Sequence, residues 1–327
     1  MTPTSCLTRR QYLLGTASAA VALMTGLTGC APAQQAMRGT FVQPWISHQN
    51  WSKQNWMDKC QQMKMLGATQ LTVQWVGQHS EEINWRLSDE SLKNIFDVAE
   101  ELELNIRLGL PYDTRWWKVL QTTDPTILAA FLQTASEQIS EFIRQSRWQV
   151  RPAFVGWYIP YEIEQYSWGS EARMSLLTQW LHQLVEITPT NDLQQVAIST
   201  YHSALHAETS LSHVWESILA RVPLRPMIQD GVGVEGLANY AMLVPLGEML
   251  KRQAVNFDLI IELFEQEKAD HLSDITFKAH SASMDRIREQ LKQAQRFGAE
   301  NLVSFSLDPW VIGDTPEAKL LLKNWPA

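Results

Sequence analysis

The chain alternates, eight times over, between a short apolar run and a longer stretch with helical periodicity. Runs rich in β-branched and aromatic residues, bounded by turn formers, predict strands. They fall at residues 39–45, 69–76, 105–110, 153–159, 195–200, 225–229, 257–261 and 301–307. Most lack the in/out alternation of a half-buried sheet, which suits strands covered on both faces in a parallel sheet.

The segments between them carry apolar stripes at helical spacing. Leu128, Phe131, Leu132, Ala135, Ile139, Phe142 and Ile143 hold one face over four turns. Met174, Leu177, Leu181, Leu184 and Val185 form another, as do Ile287, Leu291 and Ala294. Leu92, Ile95, Phe96, Ala99 and Leu102 follow Ser88, a good N-cap, while Gly67 and Gly298 stand where a helix should end. Eight such alternations predict a closed (β/α)₈ TIM barrel in one domain, in preference to an open doubly wound sheet. No Gly-x-Gly-x-x-Gly turn follows the first strand, so no dinucleotide cofactor is expected.

The first residues read as an address. Thr8-Arg9-Arg10-Gln11-Tyr12-Leu13-Leu14 resembles a twin-arginine export motif, followed by a moderately apolar stretch. That stretch closes on Leu27-Thr28-Gly29-Cys30, which resembles a bacterial lipobox. The expected organisation is a signal peptide at 1–29, a lipidated tether at 30–38 attached through Cys30, and the barrel at 39–327. Localisation would then be periplasmic or cell-surface, with the lipid as the sole membrane contact. Cys6 leaves with the signal and Cys30 is acylated, so Cys60 cannot form an internal disulfide and is expected in the core. Without Arg9 and Arg10, 25 basic residues face 35 acidic ones, a net charge of −10. That balance argues against nucleic acid as a partner. A monomer is the expected state.

Active sites of such barrels form at the carboxyl ends of the strands. Glu162 stands just past the fourth run and Glu262 just past the seventh. Pro160 cannot donate to a ladder, so pairing is expected to stop there and release Glu162 into the mouth. The same rim should collect Gln43, Trp45, Trp75, Tyr112, Asp113, Tyr158, Tyr161, Glu164, Tyr201, Gln229, Asp230 and Trp310 as substrate-binding residues. Aromatic rings stack on the apolar faces of sugars, and amides and carboxylates bind their hydroxyls. Phosphate would instead call for Lys, Arg or a glycine-rich nest. His48, His79, His202 and His280 are scattered, so no metal is expected.

Each residue also has a plainer reading. Glu262, in Leu259-Ile260-Ile261-Glu262-Leu263-Phe264, could be a structural acid bound to an arginine. Glu162 could be a solvated loop acid, with Glu164 the catalyst instead. The tryptophans could plug the barrel top, and Asp230, between Gln229 and Gly231, could cap a turn. Arg286, Arg288, Glu289 and Lys292 read as a solvated helix face.

Gln43-Pro44-Trp45, Trp157-Tyr158-Ile159-Pro160-Tyr161-Glu162-Ile163-Glu164, Gln229-Asp230-Gly231-Val232-Gly233 and Glu262-Leu263-Phe264-Glu265 together resemble the bacterial family called domain of unknown function 4434. The similarity runs from about Gly39 to Trp310. The resemblance implies a glycoside-hydrolase-like TIM barrel. In the broader clan of retaining barrel glycosidases, the acid/base glutamate follows strand four and the nucleophile sits at strand seven. Carried over, protonated Glu162 donates to the leaving oxygen and ionised Glu262 attacks the anomeric carbon. The clan usually places Asn before the acid/base; here Tyr161 stands there. The expected activity is hydrolysis of a polysaccharide or oligosaccharide by two carboxylates. A non-catalytic glycan-binding lipoprotein, or a scaffold for exopolysaccharide synthesis or export, is the alternative.

Overall fold

The computed structural model describes residues 36–190, 194–267 and 277–326. The export motif and Cys30 lie outside the described residues. Eight parallel strands close into a barrel: β1 (Met37–Val42), β2 (Gln70–Val73), β3 (Asn105–Gly109), β4 (Phe154–Ile163), β5 (Val196–Thr200), β6 (Leu224–Gln229), β7 (Asp258–Glu262) and β8 (Asn301–Phe305). They pair in chain order, and β1 closes the ring on β8. Eight main helices follow them: α1 (Lys53–Met65), α2 (Asp89–Glu101), α3 (Pro125–Gln145), α4 (Glu171–Ile187), α5 (Leu211–Leu219), α6 (Asn239–Arg252), α7 (Met284–Phe297) and α8 (Pro316–Lys323). The fold is a (β/α)₈ TIM barrel.

Local chemistry fixes where each loop gives way to helix. Ser52, Ser88, Asp124, Ser170, Ser210, Ser283 and Thr315 each cap a main helix by accepting a backbone N–H within its first turn. Gly298 ends α7 in the left-handed region that a Cβ disfavours. Cys60 is buried on α1, and that burial pushes its thiol up to about 12, consistent with an inert core residue.

Several strand boundaries differ from expectation, and two of these matter here. β1 begins at Met37, which pairs with Leu302, so the end of the expected tether is part of the barrel. β4 does not stop at Pro160 but continues to Ile163. Its pairing with β5 jumps from Ile159↔Ile198 to Ile163↔Thr200. The extra β4 residues form a bulge, and the missing Pro160 N–H falls inside it.

Strand register sorts side chains between two layers. Phe41, Tyr158, Ala197, Met227, Ile260 and Val303 pack inside the barrel. Trp157, Ile159, Tyr161 and Ile163 belong to the outer core between strands and helices. Successive strand residues point to opposite faces, so Tyr161 and Glu162 cannot share one. At the amino-terminal end of the barrel, Arg225 clamps Asp258 through Nε (2.8 Å) and Nη2, and Asn301 donates to the same carboxylate at 2.8 Å. Arg107 is buried nearby and donates Nη1 to the Gln195 carbonyl at 3.1 Å. Burial pulls the Arg107 guanidinium down to about 10, while the Asp258 charge pushes back.

Candidate active site

Glu162 and Glu262 stand on the same rim, either side of the end of β6. Gln229, the last residue of β6, donates Nε2 to Glu162 Oε1 at 2.8 Å. Asp230, the next residue, accepts the Glu262 N–H on Oδ1 at 3.3 Å. The loop then makes one helical turn, Val232–Glu235, and the Gly233 N–H donates to Glu262 Oε2 at 2.8 Å. A Cβ at Gly233 would lie 2.7 Å from the Phe264 carbonyl oxygen and 2.9 Å from Glu262 Oε2. Only glycine lets that amide approach the carboxyl.

Both carboxyls are held towards the neutral form. Lost hydration pushes Glu162 up to about 7, and the Gln229 hydrogen bond only partly offsets it. Glu162 is crowded by protein atoms yet remains half-buried, so solvent and substrate can reach it. Glu262 is 5% exposed and is raised further, by burial first and then by the Asp230 charge. The Gly233 amide and the Arg286 guanidinium oppose this, and the charge on Glu162 adds to it. Burial therefore works against the expected contrast, a neutral Glu162 beside an ionised Glu262. Asp230 is raised as well, by its own burial, and titrates together with Glu262.

These shifts have a consequence for stability. A carboxyl raised in the fold binds its proton more tightly there than in the unfolded chain, where its value is near 4.5. Its contribution is complete below 4.5 and is lost as pH rises towards and past 7. Asp97 and Glu100, both lowered chiefly by hydrogen bonds to basic partners, act in the opposite sense and only in more acid solution. His48 and His202, lowered chiefly by burial, oppose this below about 6.5, so in denaturant titrations between pH 5 and 8 the effect is read by difference: Glu262→Gln should gain stability relative to the parent as pH rises. An unchanged slope in that variant would reject the assignment.

The other predicted residues divide into rim and wall. Trp75 stacks on Tyr112, ring centres 5.5 Å apart, and Trp45, half exposed, meets Trp75 edge-on at 5.7 Å. Gln43 and Trp45 line a small cleft of about 180 Å³ with His48 and Asp308. Tyr201 lies within electrostatic reach of Glu162 and Glu164. Tyr158 sits lower in the barrel, its hydroxyl 2.6 Å from that of Ser199. Trp310 packs on Phe264 and lines a cleft with His280.

Three residues expected at the substrate are instead structural, and a fourth, Glu164, caps a helix while lining a rim cleft. Tyr161 is fully buried against Trp116, Phe131 and Trp180, and its hydroxyl accepts the Asp113 N–H at 2.9 Å. It faces the helices because its neighbour faces the mouth, so no side chain from that position reaches a sugar. Asp113 is buried and gripped by Arg115, with Nη2 to Oδ2 at 2.7 Å. Glu164 caps the short helix Gln165–Trp168 by accepting from Tyr166 and Ser167 N–H. Asp230 is fully buried and accepts from Val232 N–H, the Tyr240 hydroxyl and the Gln290 amide.

Arg286 also departs from its reading as part of a solvated face. Its Nη2 donates to the Glu262 carbonyl at 2.7 Å, while its neighbours on α7 stay exposed, Arg288 pairing with Asp285 and Lys292 with Glu289. Sequence reasoning missed Arg286, Gly233, Gln290, Tyr240 and Trp117. Arg286 and Gln290 were four apart on one helix, but nothing local marked that spacing as aimed at β7. Trp117 looked like one of a Trp116-Trp117 pair with no means of choosing which was buried.

Two clefts open among the rim loops, lined by neighbours of Glu162 and Glu262 but not by the two glutamates themselves. One of about 600 Å³ runs between the loops after β3, β4 and β5, lined by Trp117, Thr122, Ser167, Arg173, Tyr201 and Glu208 among others. The other, about 680 Å³, is lined by Gly233, Glu235, Glu265 and Arg286. Among the described residues, no three of His, Cys, Asp and Glu come together as a metal-binding group.

Known structures share this architecture. A proposed alpha-L-fucosidase from Bacteroides thetaiotaomicron VPI-5482 superposes with a TM-score of 0.65 at 18% identity, covering 89% of this chain and 92% of that one. The β-galactosidase from the psychrophilic Marinomonas ef1 gives 0.57 at 11% identity, over 82% and 53% of the two chains. The spore cortex-lytic enzyme SleL of Bacillus cereus gives 0.54 at 9% identity, over 90% and 75%. What these proteins share with the chain is the TIM-barrel fold. Uncharacterized protein YbcH of Escherichia coli (strain K12) is 23% identical over 210 residues, 63% of this chain and 69% of that protein. Residues 37–320 match the family described as Domain of unknown function (DUF4434), and the chain belongs to it.

Proposed function

We propose that the chain hydrolyses glycosidic bonds of an oligosaccharide or polysaccharide, with Glu162 as the general acid. One observation carries the reading. Two glutamates from the ends of β4 and β7 are tied to consecutive residues, Gln229 bonding the Glu162 carboxyl and Asp230 the Glu262 backbone N–H, and the Glu162 charge reaches the Glu262 carboxyl. An acid near 7 transfers a proton efficiently at neutral pH. The exposed rings beside it offer apolar faces to sugars. The glycosidase names borne by proteins of similar fold are consistent with this.

Glu262 is the partner carboxylate. It acts when ionised; burial is the main obstacle and the Asp230 charge the second, and a proton held on Asp230 lifts that second obstacle. Glu262 is then stabilised by the Gly233 N–H and Arg286. The active form carries one proton on Glu162 and one on the Asp230–Glu262 pair. The Leu27-Thr28-Gly29-Cys30 sequence supports an exported, lipid-anchored location for this activity.

Incubation of the purified protein with a broad panel of neutral oligosaccharides, followed by chromatography of the products, tests the reading. Appearance of shorter saccharides is the expected result. The buried, neutral Glu262 favours one rival, a barrel that binds glycan without turnover. Saturable glycan binding with no product after prolonged incubation would select that rival and reject hydrolysis.

A further inference from the structure

We infer that the cleft beside Glu162, walled by Trp117 and Tyr201, holds the sugar on the leaving-group side of the scissile bond, and that this sugar is neutral. The inference rests on the hydrolase reading above. Trp116 and Trp117 open the short helix Trp116–Leu120 and are adjacent in sequence, yet Trp116 is completely buried and Trp117 is 41% exposed. The indole lies within reach of the Tyr112 hydroxyl, and its ring centre is 6.1 Å from that of Tyr201. A flat apolar surface at a cleft wall is placed to stack on a pyranose face.

Its position assigns the side. Tyr112 and Tyr201, the two rings beside Trp117, both lie within reach of the Glu162 charge. The cleft lies among the loops after β3, β4 and β5, on the side of the rim where β4 carries Glu162 and away from β7, which carries Glu262. A general acid delivers its proton to the leaving oxygen, so a sugar bound on the Glu162 side is the departing one. A cleft of about 600 Å³ is within the range of small-ligand sites.

The lining sets the charge of the occupant. Arg173 is the cation there, and its guanidinium is taken up by the carbonyls of Leu120, Ser167 and Thr122. Glu164 and Glu208 add negative charge. A uronic acid or sulfated sugar would meet repulsion with no free cation to pair. Thr122, Thr123, Ser167 and Ser170 offer hydroxyls suited to a neutral sugar.

The test compares two substrates of one sugar series, the oligosaccharide and the matching glycosyl fluoride, whose leaving group is too small to reach Trp117. Trp117→Ala should lower the ratio of oligosaccharide to fluoride kcat/KM by about tenfold or more, mainly through KM. Trp117→Phe should restore most of the ratio, and Tyr201→Ala should lower it in the same direction. An unchanged ratio in Trp117→Ala and Tyr201→Ala, with the parent protein active on both substrates, overturns the inference and leaves the hydrolase reading intact. A parent protein active on neither substrate overturns both.

Discussion

Glu162→Gln is expected to reduce glycan hydrolysis by about 10²–10⁴-fold, the usual worth of a general acid, with Tm nearly unchanged. Gln keeps the shape and the acceptor oxygen that Gln229 Nε2 meets, so the hydrogen bond across the rim survives. It removes only the proton. The loss should fall on kcat, because a proton donated in the transition state adds little to ground-state binding. The parent's activity should decline as pH rises past about 7, where Glu162 ionises. The acid limb should lie above the ordinary carboxylate value of 4.5, because burial and Asp230 hold the proton on Glu262. The two limbs thus stand close together in a narrow bell, read from kcat/KM against pH. Retention of more than a tenth of parent activity by a folded Glu162→Gln variant would remove Glu162 from the mechanism.

The second large effect is on stability and lies at the other end of the barrel. Asp258 is fully buried and sits between two buried guanidiniums, bonded to Arg225 and electrostatically coupled to Arg107. Asp258→Ala removes that charge from both cations, while Arg225 keeps its Nη1 contact with Glu300 at 2.8 Å. Breaking a buried pair by removing one partner costs about 3–5 kcal/mol. For a domain this large, that corresponds to a fall in Tm on the order of 10 °C. Asp258→Asn keeps an acceptor for Arg225 but loses the charge, so it should fall between the parent and the alanine variant. Thermal unfolding followed by circular dichroism measures both. Because the cluster is at the closed, amino-terminal face, the pH profile of any residual activity should match the parent. A Tm for Asp258→Ala within about 1 °C of the parent would show that the cluster is not what holds that end together.

The alternation of apolar runs and helical stripes was enough to set the class of fold, because eight buried strands with covered faces have few other ways to pack. It also placed Glu162 and Glu262 at strand ends, since strand length and the residues just beyond are local properties. What it could not read was direction. Tyr161, Asp113, Glu164 and Asp230 have the chemistry of a sugar site and the right distance from strand ends, yet three are turned into the wall and Glu164 caps a helix. Tyr161 could have been sorted from sequence by strand parity with Glu162. The bulge that carries β4 through Pro160 hid that relation.

Sequence alone determined that two carboxyls would arrive at one rim, because covalent order and a two-residue pleat decide it. Their protonation was decided by burial and by residues remote in the chain: Gln229 for Glu162, and Asp230, Gly233 and Arg286 for Glu262. Charge interaction depends on separation in space and on excluded water, and neither is a property of the one-dimensional chain. The same holds for Trp117, whose exposure depends on which indole of an adjacent pair the helix layer takes in.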